Sequence, residues 1–277
     1  MVECNFLLIS FPFYVILKAN LKGVSFMFDR KELKANAKKV FKEYGFWTPF
    51  AVTLVTGIVA AGFGGSSASA SAGDIFEAFE VAAQDPSATT GALIGAFCML
   101  LLGFAIGMII NAAWASFVAG PFLVGSNKFF MENRLGGSKF SNIVWAFKEG
   151  RYLPVAKTLF SYNIKIALWS LLFGIPGIIK ALEFTMVPYI LAENPNIDKA
   201  RAFEISKATT KGEKWNIFVF LLSFLGWVLL GMVTCGLAIL YLEPFMAAAY
   251  AELYQKLREK ALANGFAEAS ELPGFEA

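Results

Sequence analysis

Six apolar stretches run through this chain, and the connections between them alternate between basic and almost free of Lys and Arg. The stretches fall at about 48–64, 91–124, 159–175, 178–192, 215–233 and 236–254. A helix crossing a bilayer needs about 20 mostly apolar residues, because no water is available there to bond an open backbone. Hydrophobic residues make up 57% of the sequence and charged residues 16%. A soluble domain is about a quarter charged and less than half apolar. This chain has too little polar surface to cover itself, so lipid must be the solvent for much of it. The expected fold class is all-α: a polytopic membrane helix bundle of six transmembrane helices, arranged as three hairpins.

Charge sets the expected orientation. Basic residues gather at 29–44, 126–157, 193–214 and 256–260. The loop at 65–90 carries Asp74, Glu77, Glu80 and Asp85 but no Lys or Arg, and the two tight turns carry essentially none. Positive charge stays on the cytoplasmic side. Both termini are therefore expected to be cytoplasmic, in a multi-pass protein of the plasma membrane.

Each hairpin is expected to follow a cytoplasmic amphipathic helix. The first is the clearest, over 29–44. Leu33, Ala37, Val40, Phe41 and Tyr44 fall at helical spacing on one face, and Lys31, Lys34, Lys38, Lys39 and Lys42 occupy the rest. Such a helix is expected to lie on an anionic leaflet, apolar face down. Its lysines are expected to contact the anionic headgroups of membrane lipids at the inner leaflet, while also marking topology.

The three units look alike. Each pre-hairpin segment ends at Gly near aromatic residues: Gly45-Phe46-Trp47, Gly150-Arg151-Tyr152 and Gly212 shortly before Trp215. Each returning span holds Pro then an aromatic: Pro121-Phe122, Pro188-Tyr189 and Pro244-Phe245. Gly permits the sharp turn from surface to bilayer, and Pro frees a backbone carbonyl and bends the returning helix. The domain reading is a six-span membrane domain over 27–257, with units 27–125, 126–192 and 193–257, then a cytoplasmic tail at 258–277. Residues 6–17 are too short for a span and lack the basic start and cleavage site of a signal peptide. Met27-Phe28-Asp29-Arg30 reads like a natural start. Residues 1–26 are read as a leader translated from a misassigned start; the alternative is a short membrane-associated segment.

Much chemistry is excluded. There is no His, hence no imidazole base, no Ser-His or Cys-His pair and no His-ligated zinc. Cys4, Cys98 and Cys235 form no C-x-x-C and suggest neither a disulfide framework nor a metal cluster. No phosphate-loop motif occurs, and the four Asp lie outside the expected spans. A net charge of +3 is too small to point to nucleic acid. No cofactor, metal or catalytic residue is expected, and the chain is read as not an enzyme.

The polar residues inside the spans are the remaining candidates. Glu183 and Glu243 each lie in a returning span near Pro, where a charge costs about 2.5–3.5 kcal/mol on insertion scales. Two readings are open. They form an intramembrane polar site with Lys180 and Asn111, or Glu183 pairs locally with Lys180 three residues away while Glu243 bonds backbone. Lys165 is expected to snorkel to the cytoplasmic headgroups. Asn111 and Asn163 are candidates for bonds between helices. Gly91, Gly95, Gly103 and Gly107 fall in phase on the second span, either packing in the core or making a homo-oligomer contact.

The second half carries a recognisable pattern. Phe173-Gly174-Ile175-Pro176-Gly177-Ile178-Ile179-Lys180 leads to Met186-Val187-Pro188-Tyr189, then Ser206-Lys207, Lys211-Gly212, Ser223-Phe224-Leu225-Gly226-Trp227 and Pro244-Phe245. This resembles the bacterial integral membrane family called domain of unknown function 975, found mainly in Gram-positive bacteria, over residues 27 to about 257. The resemblance implies a six-span membrane protein and no particular activity. Function is expected to be the transport or binding of a solute or lipid through the polar site. The alternative is a non-catalytic membrane scaffold or envelope-stress interaction protein.

Overall fold

The computed structural model describes residues 28–60, 80, 90–148, 150–171, 175–234 and 237–275. These are helical, with no strand among them. The proposed leader at 1–26, most of the loop at 65–90, and Cys4 and Cys235 lie outside the described residues.

Helix α1, Arg30–Tyr44, forms where the amphipathic pattern places it. Asp29 caps it, accepting a hydrogen bond from the Lys31 backbone N–H at 2.8 Å. Gly45 ends it with φ 85°. The apolar face is partly covered by protein. Leu33 and Ala37 are fully buried, because α1 packs along the last long helix, α11 (Leu237–Ala263). Glu32 lies 3.9 Å from Lys256, and Phe46 stacks on Tyr241 with centroids 5.1 Å apart. A protein neighbour covers the Leu33 and Ala37 part of the stripe, while Val40 and Phe41 stay partly exposed.

Helix α2, Trp47–Ala60, is apolar but shorter than a span requires. Helix α3, Thr90–Trp114, widens into a π-helical turn at Ala115–Ala119 and continues as α4, Gly120–Asn133. The π turn lies immediately before Gly120 and Pro121, where a proline disturbs the ladder one turn earlier. A short 3-10 segment, Phe140–Phe147, packs against α4. A Cβ at Gly125 would strike the Ile143 carbonyl, so this approach needs glycine.

Helix α5, Tyr152–Leu171, begins earlier than the apolar run alone indicated. Its first turns bury Val155, Ala156 and Leu159 in protein. The expected fourth span is two helices, α6 (Ile175–Glu183) and α7 (Val187–Glu193), separated by a turn before Pro188. Helix α8, Lys199–Thr210, is capped by Asp198, which accepts from the backbone N–H groups of Ala200 and Arg201. The expected fifth span is also broken, into α9 (Lys214–Leu222) and α10 (Leu225–Val233). By contrast α11 continues straight through Pro244.

Among the described residues three stretches are long and apolar enough to cross a membrane: Ile109–Asn133, Ile175–Glu193 and Lys214–Val233. Gly45, Gly150 and Gly212 each have a positive φ, of 85°, 78° and 84°. Only glycine adopts this left-handed region without penalty.

The tail does not trail away. Residues 258–263 finish α11, and the chain then folds back on the bundle. Leu272 is fully buried. Arg201 holds the Glu271 carboxylate through two bonds, 2.6 and 3.0 Å. The Arg201 guanidinium and the Glu268 backbone N–H keep the Glu271 carboxyl below the usual glutamate range. Arg258 donates to the Leu272 carbonyl at 2.6 Å and pairs with Glu193 at 3.0 Å.

Candidate functional site

Glu183 stands at the break between α6 and α7, with an exposure of 3%. Lys180 reaches one carboxylate oxygen at 3.0 Å and Lys214, at the start of α9, reaches the other at 2.7 Å. The break also frees the Glu183 backbone carbonyl. Ser206 donates its hydroxyl to that oxygen at 2.8 Å and Thr210 does so at 3.2 Å, both from α8. The residue thus ties three helices at a point where the backbone ladder is interrupted. A buried carboxylate is tolerated when it is paired and fully bonded.

The second break has a similar solution. At Ser223 and Phe224 the ladder between α9 and α10 is interrupted. Lys34 of α1 donates to the Ser223 carbonyl at 3.1 Å and lies 4.0 Å over the Phe224 ring. Burial, with the Arg30 charge beside it, holds the Lys34 ammonium below the usual lysine range. Lys34 is therefore committed to protein, whereas Lys31, Lys38, Lys39 and Lys42 remain exposed. One of the three Lys34 donors is thus spent on protein.

The four expected members of the polar site do not assemble as one cluster of bonds. Lys180 and Glu183 are paired. Glu243 is exposed on α11, and no hydrogen bond or ion pair joins it to a described residue. A Cβ at Gly57 would lie 3.6 Å from its carboxylate, so α2 passes close by. Asn111 is half-buried and likewise makes no hydrogen bond to a described residue. Asn163 does bond between helices, donating to the Ser116 hydroxyl at 3.0 Å. At Gly95, Gly103 and Gly107 a Cβ would meet nothing within 4 Å, so core packing is not what these glycines serve among the described residues. Gly91 has no described surroundings.

Sequence reasoning missed the second partner of Glu183. Lys214 read as one more charge in a basic segment, and only the fold closes the separation of 31 residues. It also missed the bidentate Arg134–Glu252 pair, at 2.6 and 3.3 Å, which joins α11 to the end of α4.

A groove of about 590 Å³ opens between α1, α10 and α11. Phe41, Phe46, Trp227, Tyr241 and Phe245 supply most of its wall, together with Lys38 and Lys42. Aromatic walls beside exposed ammonium groups suit a ligand that is apolar along its length and anionic at one end.

Among the described residues no group of three or more Cys, Asp or Glu is arranged to hold a metal ion. Cys98 is a free, exposed thiol. What the fold and these sites define is an all-helical protein with helices long and apolar enough to cross a membrane. Residues 155–261 match the family described as "Protein of unknown function (DUF975)". The match covers the ion-paired break, the Ser223–Trp227 motif and most of α11, and is narrower than the resemblance over 27–257. No curated protein and no solved structure matches the chain.

Proposed function

We propose that this is a six-span protein of the bacterial plasma membrane, built of three hairpin units with both termini cytoplasmic, and that it binds lipid. The groove between α1, α10 and α11 carries the lipid reading. It pairs a wall of five aromatic side chains with the ammonium groups of Lys38 and Lys42. A phospholipid supplies the matching chemistry, acyl chains against the rings and phosphate against the lysines. Passage of a solute through a polar site at Glu183 fits less well. That carboxylate is buried with both oxygens occupied by lysine.

The three-unit reading draws on a recurring contact. The 3-10 segment ahead of the second unit packs on α4, the returning helix of the first. Helix α8, ahead of the third unit, packs on α6 and α7 of the second. Helix α1, ahead of the first, packs on α11 of the third. Each lead segment docks on the unit before it, and the first docks on the last. Similar units joined in this way form a closed ring. The open faces of Gly95, Gly103 and Gly107 suit a helix from a second copy, which makes a homo-oligomer the protein partner of choice.

The test is lipid retention by the purified protein in native mass spectrometry. Replacing both groove lysines, Lys38→Gln and Lys42→Gln, is expected to reduce bound phosphatidylglycerol by about tenfold or more, at about 1 kcal/mol for each basic residue. Unchanged retention sinks the groove reading.

A further inference from the structure

The clusters outside the groove differ in how their charge is balanced. The acids and bases under the folded-back tail are matched: Arg134 with Glu252, Arg258 with Glu193, Arg201 with Glu271. The cluster around α5 and α6 is not. Glu183 already holds Lys180 and Lys214. Lys165 is exposed on α5, and no carboxylate of a described residue pairs with it. Its ammonium sits 3.6 Å over the Phe203 ring and 5.8 Å from that of Phe184. Lys180 flanks the same Phe184 ring at 5.5 Å and lies 5.4 Å from Trp169.

We propose that Lys165, with Lys180, forms a phosphate-binding site for the headgroup of an anionic phospholipid, separate from the α1 groove. The aromatic rings fix the ammonium groups without neutralising them, since a ring face offers a cation only its quadrupole. The remaining positive charge calls for an anion. The surface beside it specifies what kind. Leu168 and Trp169 on α5, and Ile175, Ile178 and Ile179 on α6, are exposed apolar side chains adjoining the cationic cluster. A ligand that satisfies both has a phosphate at one end and hydrocarbon at the other.

The site is tested with the full chain reconstituted in vesicles, by amine-reactive footprinting of Lys165 read by mass spectrometry. Phosphatidylglycerol vesicles are expected to slow modification of Lys165 about fivefold relative to phosphatidylcholine vesicles. Inorganic phosphate added to phosphatidylcholine vesicles separates the two sources of the anion. Weak protection assigns the site to lipid, and protection equal to that of phosphatidylglycerol overturns the lipid assignment in favour of a free phosphate site. Equal reactivity in all three conditions overturns the site altogether. In native mass spectrometry Lys165→Gln is expected to lower phosphatidylglycerol retention about fivefold, and Lys165→Arg to preserve it. Lys148→Gln, at an exposed lysine elsewhere, should change nothing. An equal loss with Lys148→Gln would mean diffuse surface charge and would also overturn the proposal. Because this variant set leaves Lys38 and Lys42 untouched, failure here is distinguishable from failure of the groove.

Discussion

The region around Glu183 and the folded-back tail contrasts with α10. In the first, helices are knitted together by buried side chains and paired charges: Leu191, Ile205 and Leu257 are almost wholly buried, and Glu183 is enclosed by two lysines. In the second, Val233 is 81% exposed, Met232 is 71% exposed, and Leu229 and Leu230 also face outward. Both regions are helical and apolar, so helix formation does not separate them. The difference lies in what the apolar surface is given to. One region places it against protein and resembles a soluble core. The other presents it outward, which is tolerable only if the surrounding solvent is hydrocarbon.

The contrast is broken most directly at Glu183. Glu183→Ala leaves Lys180 and Lys214 without their shared carboxylate. Removing one member of a buried pair costs about 3 kcal/mol. Thermal unfolding of the purified protein in detergent is expected to show a clearly lower midpoint, and an unchanged midpoint would mean the break is held by other contacts.

The tail provides a smaller and pH-dependent effect. The Glu271 carboxyl sits below its usual range in the folded state. Its contribution to docking is complete above the unfolded value of about 4.3 and is lost as pH falls through the lower folded value. Limited proteolysis within 264–275 should therefore stay slow at pH 5 and accelerate only in stronger acid. Glu271→Gln should speed cleavage at neutral pH and flatten the acid response. The smallest effect belongs to the outward-facing surface. Val233→Thr is expected to shift the detergent unfolding midpoint by no more than about 0.5 kcal/mol allows. A large loss there would show that α10 is covered by protein after all.

Local features were the legible ones. Asp29 and Gly45 bracket α1 as the sequence indicated, and the i,i+3 spacing of Lys180 and Glu183 already favoured a pair. The glycines at 45, 150 and 212 announced their turns, since no other residue occupies that backbone region cheaply. Long-range features were not legible. An amphipathic face looks the same whether lipid or α11 covers it, so the burial of Leu33 and Ala37 against α11 was not legible. The breaks at 184–186 and 223–224 follow from partners on distant helices, Ser206, Thr210 and Lys34. The tail carries few apolar residues, and its anchor is an Arg–Glu pair 70 residues apart. The candidate polar site was legible only as far as its local pair extends.

The packing of α1 along α11 bears on the order in which the chain is made. Helix α1 is the earliest described helix to leave the ribosome, and α11 is the latest. Leu33 and Ala37 therefore have no protein cover until nearly the whole chain has been synthesised and inserted. Throughout that interval an amphipathic helix with its apolar stripe bare needs other cover, which lipid or a chaperone can supply, and the arrival of α11 ends the need.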